Sequence, residues 1–150
     1  LRDLLGTARA SADELAVLLL YVDLDGLKAV NDRDGHSAGD VVLVDAARRL
    51  RDVVAADDVL GRLGGDEFAV ARLVDRRGSG ATGADLAAAI AGGLAPDGAP
   101  EGSDRPTASA HGASVGLVID DGRGTAETLI DAADAAMYRA KSAGRGRWSR

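Results

Sequence analysis

Three acidic stretches carry the residue types best suited to chemistry. The first is Arg62-Leu63-Gly64-Gly65-Asp66-Glu67-Phe68. Two glycines without side chains let backbone N–H groups approach a phosphate closely, and Asp66 and Glu67 follow where a cation could bridge to it. The same stretch reads equally as a hairpin turn with two solvated acids and Phe68 anchoring the return strand. The second is Asp23-Leu24-Asp25-Gly26-Leu27-Lys28. Asp23 closes an apolar run, where a carboxylate is costly unless paired or metal-bound; the plain alternative is a turn or a helix cap. An EF-hand loop is excluded, because Leu27 and Lys28 stand where a ligand and the sharp-turn glycine are required. In the third stretch, Asn31-Asp32-x-x-Gly35-His36-x-x-Gly39-Asp40, the Asp40 carboxylate can accept two hydrogen bonds side by side. That suits guanine N1–H and N2–H and repels the acceptor N1 of adenine. Asp40 is also well placed as a first-turn acid favourable to a helix dipole. Hard carboxylates facing a phosphate suit Mg²⁺ rather than Zn²⁺, the more so with no cysteine and two histidines.

The elements that must position these groups follow from periodicity. Residues 1–14 read as the end of a helix, and 16–22 as a continuous apolar strand ending on Asp23. A short helix is expected around 27–30 within a polar turn segment. Leu43, Ala47, Leu50 and Val54 then recur at helical spacing over 38–55, with Arg48, Arg49 and Arg51 opposite. Strands 59–63 and 68–73 flank Gly64-Gly65 as a tight hairpin. An alanine-rich helix over 84–94, a proline- and glycine-bearing loop over 95–107, a strand over 109–119 and a helix over 125–143 complete the chain. Gly144 is the expected C-cap, with Lys141 and Arg145 offsetting the negative helix end. The core order β-α-β-β-α-β predicts an α+β fold, a ferredoxin-like split βαβ with a central antiparallel sheet surrounded by helices. That topology makes the first strand a neighbour of the hairpin, so Asp23 and Asp66 can converge.

Composition narrows the partners. The 150 residues suffice for one domain. Aromatic residues are 3% of the chain, too few for a surface of stacked bases, and the net charge of −6 disfavours a nucleic acid held by counterion release. The longest apolar run, Leu15 to Val22, is far short of the roughly 20 residues that span a bilayer. A cytoplasmic domain without direct membrane contact is expected. The segment 78–83 matches G-x-G-x-x-G, but it follows a hairpin strand and leads to no strand that could present an acid to a ribose, so a dinucleotide fingerprint is dismissed. His111, among small residues of a strand, reads as structural.

Together these stretches resemble the GGDEF family, the diguanylate cyclases that condense two GTP into cyclic di-GMP. Gly64-Gly65-Asp66-Glu67-Phe68 is the name motif intact, and Asp23 to Lys28, Asn31 to Asp40, Ser114-Val115-Gly116 and Ala136 to Arg145 follow in order and spacing. The resemblance covers nearly the whole chain. It implies a five-stranded sheet wrapped by helices, related to nucleotidyl-cyclase and polymerase palm domains. It also implies that Asp23, Asp66 and the Leu24 carbonyl bind Mg²⁺, or Mn²⁺ in its place. Asp66 and Glu67 assist deprotonation of the attacking 3′-hydroxyl, and Lys28 joins them as a catalytic group at the phosphates. Asn31 and Asp40 hold guanine, with His36, Gly64, Gly65, Lys141 and Arg145 completing the substrate set. Two metals roughly 3.5–4 Å apart would serve in-line phosphoryl transfer. Each domain holds one GTP, so a homodimer is required, normally under an upstream sensory domain.

The chain departs from the family pattern in three places. The product-inhibition motif Arg-x-x-Asp begins at Ala55, although Asp58 remains, which predicts weak product inhibition there. Leu27 replaces the usual Phe. The N-terminal Asp-x-Leu-Thr-Gly-Leu-x-Asn-Arg signature is absent, as expected of a single catalytic domain truncated from a larger regulatory protein. Two other readings stay open: a catalytically silent module that senses GTP or docks a partner, and a palm-like nucleotidyl cyclase or transferase with another base preference.

Overall fold

The strand that carries Asp23 is buried on both faces, and this sets the architecture. In a computed structural model, which describes residues 1–11, 14–94 and 112–150, β1 spans Leu15–Leu24. Alternate side chains go to opposite sides of a sheet, so a strand covered on both faces must be apolar throughout. Leu18, Leu20, Val22 and Leu24 enter one core with Val42, Ala46, Leu50 and Ile90, whereas Val17, Leu19 and Tyr21 enter a second with Leu5, Ala8, Leu129 and Met137.

The helices on the first face are α2 (Leu27–Asp34), α3 (His36–Val53) and α4 (Ser79–Gly93); α1 (Arg2–Ala10) and α5 (Ala126–Ser142) cover the second. The remaining strands are β2 (Val59–Gly64), β3 (Glu67–Asp75), β4 (Ala113–Asp120) and β5 (Trp148–Ser149). Their order is β2-β3-β1-β4-β5. The expected antiparallel α+β core holds for the first four strands. The sheet as a whole is mixed, because β5 pairs parallel with β4 through Val115↔Trp148 and Gly116↔Ser149. Two residues give no periodicity, so β5 left no trace in the sequence pattern.

Three helix boundaries moved for physical reasons. α1 ends at Ala10, short of residue 14. α2 runs on to Asp34 and stops at Gly35, whose φ is +85; its last turn is polar and carries no apolar spacing. α4 starts at Ser79, five residues earlier than expected, so the dismissed glycine segment forms its first turns. A Cβ at Gly83 would lie 2.7 Å from a Leu18 methyl, which makes that glycine a packing residue. The 95–107 loop, the first residues of the 109–119 strand and His111 lie outside the described residues.

α5 matters most for the site because its end carries Lys141. It begins at a capping box: Thr128 N–H donates to Thr125 Oγ1 at 3.2 Å and Thr125 N–H to Thr128 Oγ1 at 2.9 Å. Its middle lies directly on β4. A Cβ at Gly116 would sit 2.0 Å from the Ala133 carbonyl oxygen and 2.4 Å from the Met137 nitrogen, closer than any side chain permits. Among the described residues no helix is long and apolar enough to cross a membrane.

Candidate functional site

The register of the sheet brings the first two acidic stretches together. Asp23 lies opposite Glu67 on β3 and Ser114 on β4. Asp66 falls in the β2–β3 turn, and the Leu24 N–H donates to its carbonyl oxygen at 3.1 Å. Gly65 takes a φ of +51, and the Arg62 guanidinium donates to the Gly65 carbonyl from Nη2 at 2.7 Å and Nε at 3.1 Å, clasping the turn from outside. A register shift between Arg62 and Gly64 marks a bulge at the same place.

Asp23 is 4% exposed. Lys141 reaches it from the end of α5, with Nζ 2.7 Å from Oδ2, while Oδ1 is buried with no hydrogen-bond partner among the described residues. Burial pushes the Asp23 carboxyl up to about 6; the like charges of Asp66 and Asp25 push the same way, and the Lys141 hydrogen bond and charge oppose them. A buried carboxylate with one open oxygen and a raised proton affinity has unmet demand for positive charge. Tyr21, two residues earlier on the same strand face, is driven above the usual phenol range by burial and then by its hydrogen bond to Glu67.

Next to this pair opens a cavity of ≈ 390 Å³ whose walls include Leu24, Lys28, Asp32, Asp66, Lys141 and Arg145. Asp25 just past β1, Asp32 of α2 and Asp66 of the hairpin thus meet Lys28 of α2 and Lys141 and Arg145 at and beyond the end of α5. Among the described residues, no three or more His or acidic side chains gather into a metal cage. Mg²⁺ needs none: it commonly takes one or two carboxylates and completes its shell with water and substrate phosphates. The open Asp23 oxygen beside Asp66 fits such an ion.

The third stretch is placed differently. Asn31, half-buried on α2, has its side-chain oxygen buried with no hydrogen-bond partner among the described residues. It fits against Gly39 of α3, where a Cβ would lie 2.0 Å from that oxygen. Asp40 is exposed on α3 in a separate hollow with Val41, Val44 and Arg48, and the exposed His36 opens α3 outside the cavity walls. Gly64 and Gly65 are exposed at the hairpin tip. The cavity therefore unites Leu24, Lys28, Asp66, Lys141 and Arg145, with Asp23 joined to it through Lys141, and leaves Asn31, His36, Asp40, Gly64, Gly65 and Glu67 outside its walls. Asp32 and Tyr21 were not singled out from the sequence. A two-residue spacing from Asp23 could have drawn attention to Tyr21, whereas Asp32 looks like any solvated acid of a polar turn.

Asp58, the acid of the expected Arg-x-x-Asp pattern, is taken up internally. Arg72 of β3 donates to it from Nε at 2.6 Å and Nη2 at 2.5 Å, and the Ala55 N–H at 2.8 Å.

Comparison with known proteins gives one consistent result. The family described as "Diguanylate cyclase, GGDEF domain" matches residues 1–147. An uncharacterized signaling protein of Caulobacter vibrioides is 44% identical over 137 residues, 91% of this chain and 16% of its own length. The diguanylate cyclase TpbB of Pseudomonas aeruginosa is 39% identical over 141 residues, 93% of this chain and 31% of its own length. A crystal structure of a sensory box/GGDEF family protein from Caulobacter crescentus superposes with a TM-score of 0.76 at 39% identity, covering 96% of this chain and 88% of that one. The chain spans less than a third of the length of either of these two relatives.

Proposed function

The chain belongs to the GGDEF family of diguanylate cyclase domains, and from that premise we propose that it condenses two GTP into cyclic di-GMP with release of two pyrophosphates. The observation that carries this reading is the cavity in which Asp66 meets Lys28, Lys141 and Arg145, with the Asp23 carboxylate ion-paired to Lys141. Asp23, Asp66 and the Leu24 carbonyl would hold Mg²⁺, or Mn²⁺ in its place. Bound there, the metal supplies Lewis-acid neutralisation of charge on the entering and leaving oxygens.

The chain's own residues supply the rest. Lys28, Lys141 and Arg145 bind the triphosphate, and the Gly64-Gly65 turn admits it close to the backbone. Asp66, with Glu67, takes the proton of the 3′-hydroxyl of the facing GTP. That oxygen bonds to the α-phosphorus as the bond to the bridging α–β oxygen breaks and pyrophosphate leaves. A second, equivalent attack closes the ring. Asn31 and Asp40 orient guanine at the edge of the site; the open Asn31 acceptor supports this. Since each domain holds one GTP, two copies must face each other.

Purified protein held as a forced dimer and incubated with GTP and Mg²⁺ should yield cyclic di-GMP and pyrophosphate, read by chromatography. GTP bound without product would instead identify a silent sensing module. ATP competing with GTP on equal terms would point to a transferase of other base preference.

A further inference from the structure

Asp25 lines the same cavity and is 5% exposed; no step above uses it, yet its carboxylate is fully engaged. Ser114 Oγ donates to Oδ1 at 2.9 Å, the Gly146 N–H donates to Oδ2 at 3.0 Å, and Arg145 Nε lies 3.8 Å from Oδ1. These partners come from β4 and from the segment between α5 and β5. That segment is unfavourable at one residue: Arg145 has a φ of +59 and is the one non-glycine residue with positive φ among those described, between Gly144 at +121 and Gly146 at +58, which adopt such angles freely. Such backbone persists where its surroundings over-determine it. On the sheet side, two contacts do so: the Asp25 carboxylate, and the Val115 N–H donating to the Arg147 carbonyl at 2.9 Å, which seats β5. The Arg145 side chain is 67% exposed, so its position depends on the backbone beneath it.

We propose that Asp25 is a positioning residue whose carboxylate pins the segment 144–147 to the end of the sheet and thereby holds Arg145 at the cavity it shares with Asp66 and Lys141. This rests on the functional reading above, because it concerns where a phosphate-binding guanidinium is held. The charge of the carboxylate is what the amide cannot replace. Two acceptor oxygens take a hydroxyl and a peptide N–H while the negative charge faces the Arg145 guanidinium, whereas the isosteric amide of Asn loses that charge and keeps the Gly146 hydrogen bond only if the Ser114 hydroxyl turns to accept.

Trp148, the single tryptophan, directly follows the pinned segment and is 37% exposed, so its fluorescence reports the docking without any nucleotide. The nucleotide probe is 3′-deoxy-GTP with Mg²⁺, which lacks the attacking hydroxyl and cannot turn over. Asp25→Asn should shift Trp148 emission to the red, raise its quenching by acrylamide and weaken probe binding about tenfold, the scale of a lost hydrogen bond to a charged group, with an unchanged far-ultraviolet circular dichroism spectrum. Ser114→Ala should change both readouts in the same direction by about threefold, less than Asp25→Asn because the carboxylate keeps its charge and its Gly146 and Arg145 contacts. Arg145→Gly, which suits the positive φ, should weaken probe binding and leave Trp148 unshifted. Asp25→Asn protein with wild-type emission and affinity overturns the proposal. If that variant does not fold, a Ser114→Ala protein identical to wild type in both readouts overturns it. Wild-type protein that binds no probe overturns the functional reading and the role of Arg145 with it, whereas intact wild-type binding with an unaffected Asp25→Asn variant removes Asp25 alone.

Discussion

Two buried carboxylates respond to pH in opposite directions. Asp23 titrates at about 6 in the folded chain against an ordinary value of 3.8, because burial outweighs Lys141. A carboxyl raised on folding makes the native state less favourable as pH climbs from the ordinary value through the raised one. Asp23→Asn, which keeps the shape without the charge, should therefore unfold at higher urea than wild type at pH 8, by about 1–3 kcal/mol, and match it near pH 4. On the proposed reaction, in which Asp23 holds the metal, the same variant should lose cyclic di-GMP formation by about a thousandfold or more. Asp58 is the reverse case: burial raises its pKa, but the Arg72 hydrogen bonds, the Ala55 N–H and the Arg72 charge prevail and hold it below the usual carboxylate range. Its contribution is present above pH 3.8 and lost as pH falls through its depressed value. Asp58→Ala leaves Arg72 unpaired and should cost about 3 kcal/mol at pH 7, measured by urea unfolding. With Ala55 in place of the arginine and Asp58 already satisfied within the fold, calorimetry should find weak cyclic di-GMP binding at this surface. Tight binding abolished by Asp58→Ala would contradict this.

At the scale of elements, the seat of α5 on β4 decides where Lys141 ends. A methyl at position 116 would meet the helix backbone at 2.0 Å, and neither element can yield cheaply. Gly116→Ala should thus cost about 2–3 kcal/mol by the strain of overpacking. It should also weaken GTP binding, read in thermal unfolding and titration together, because displacing the helix moves the ammonium that sits 2.7 Å from Asp23. Helix and strand identities along α3, β1 and α5 were legible because apolar spacing records burial, and those elements bury whole faces. The last turn of α2, the first turns of α4 and all of β5 were not. Their positions depend on close backbone approach and on two ladder pairs, which leave no periodic signature.

For the whole molecule, the proposed reaction gives each chain one GTP and so calls for two chains; on that reading the rate of cyclic di-GMP formation should rise faster than linearly with protein concentration. A forced dimer should remove that curvature. A linear dependence without any tether would refute the shared site. The chain matches less than a third of the length of these two relatives.

The sequence by itself determined the chemistry on offer: Gly64-Gly65-Asp66-Glu67, Asp23 at a strand end, and basic residues closing the last helix. These are local properties, fixed by residue type and short spacing. Tertiary structure alone decided which of them meet. Pairing β1 with β3 set Asp23 opposite Glu67, the close packing of α5 brought Lys141 to Asp23, and the Asp25 contacts fixed the segment bearing Arg145. The same packing left Asp40 and His36 outside the central cavity and turned Asp58 inward to Arg72. Each is a contact between residues distant in the chain, settled by how faces bury and how closely backbones approach.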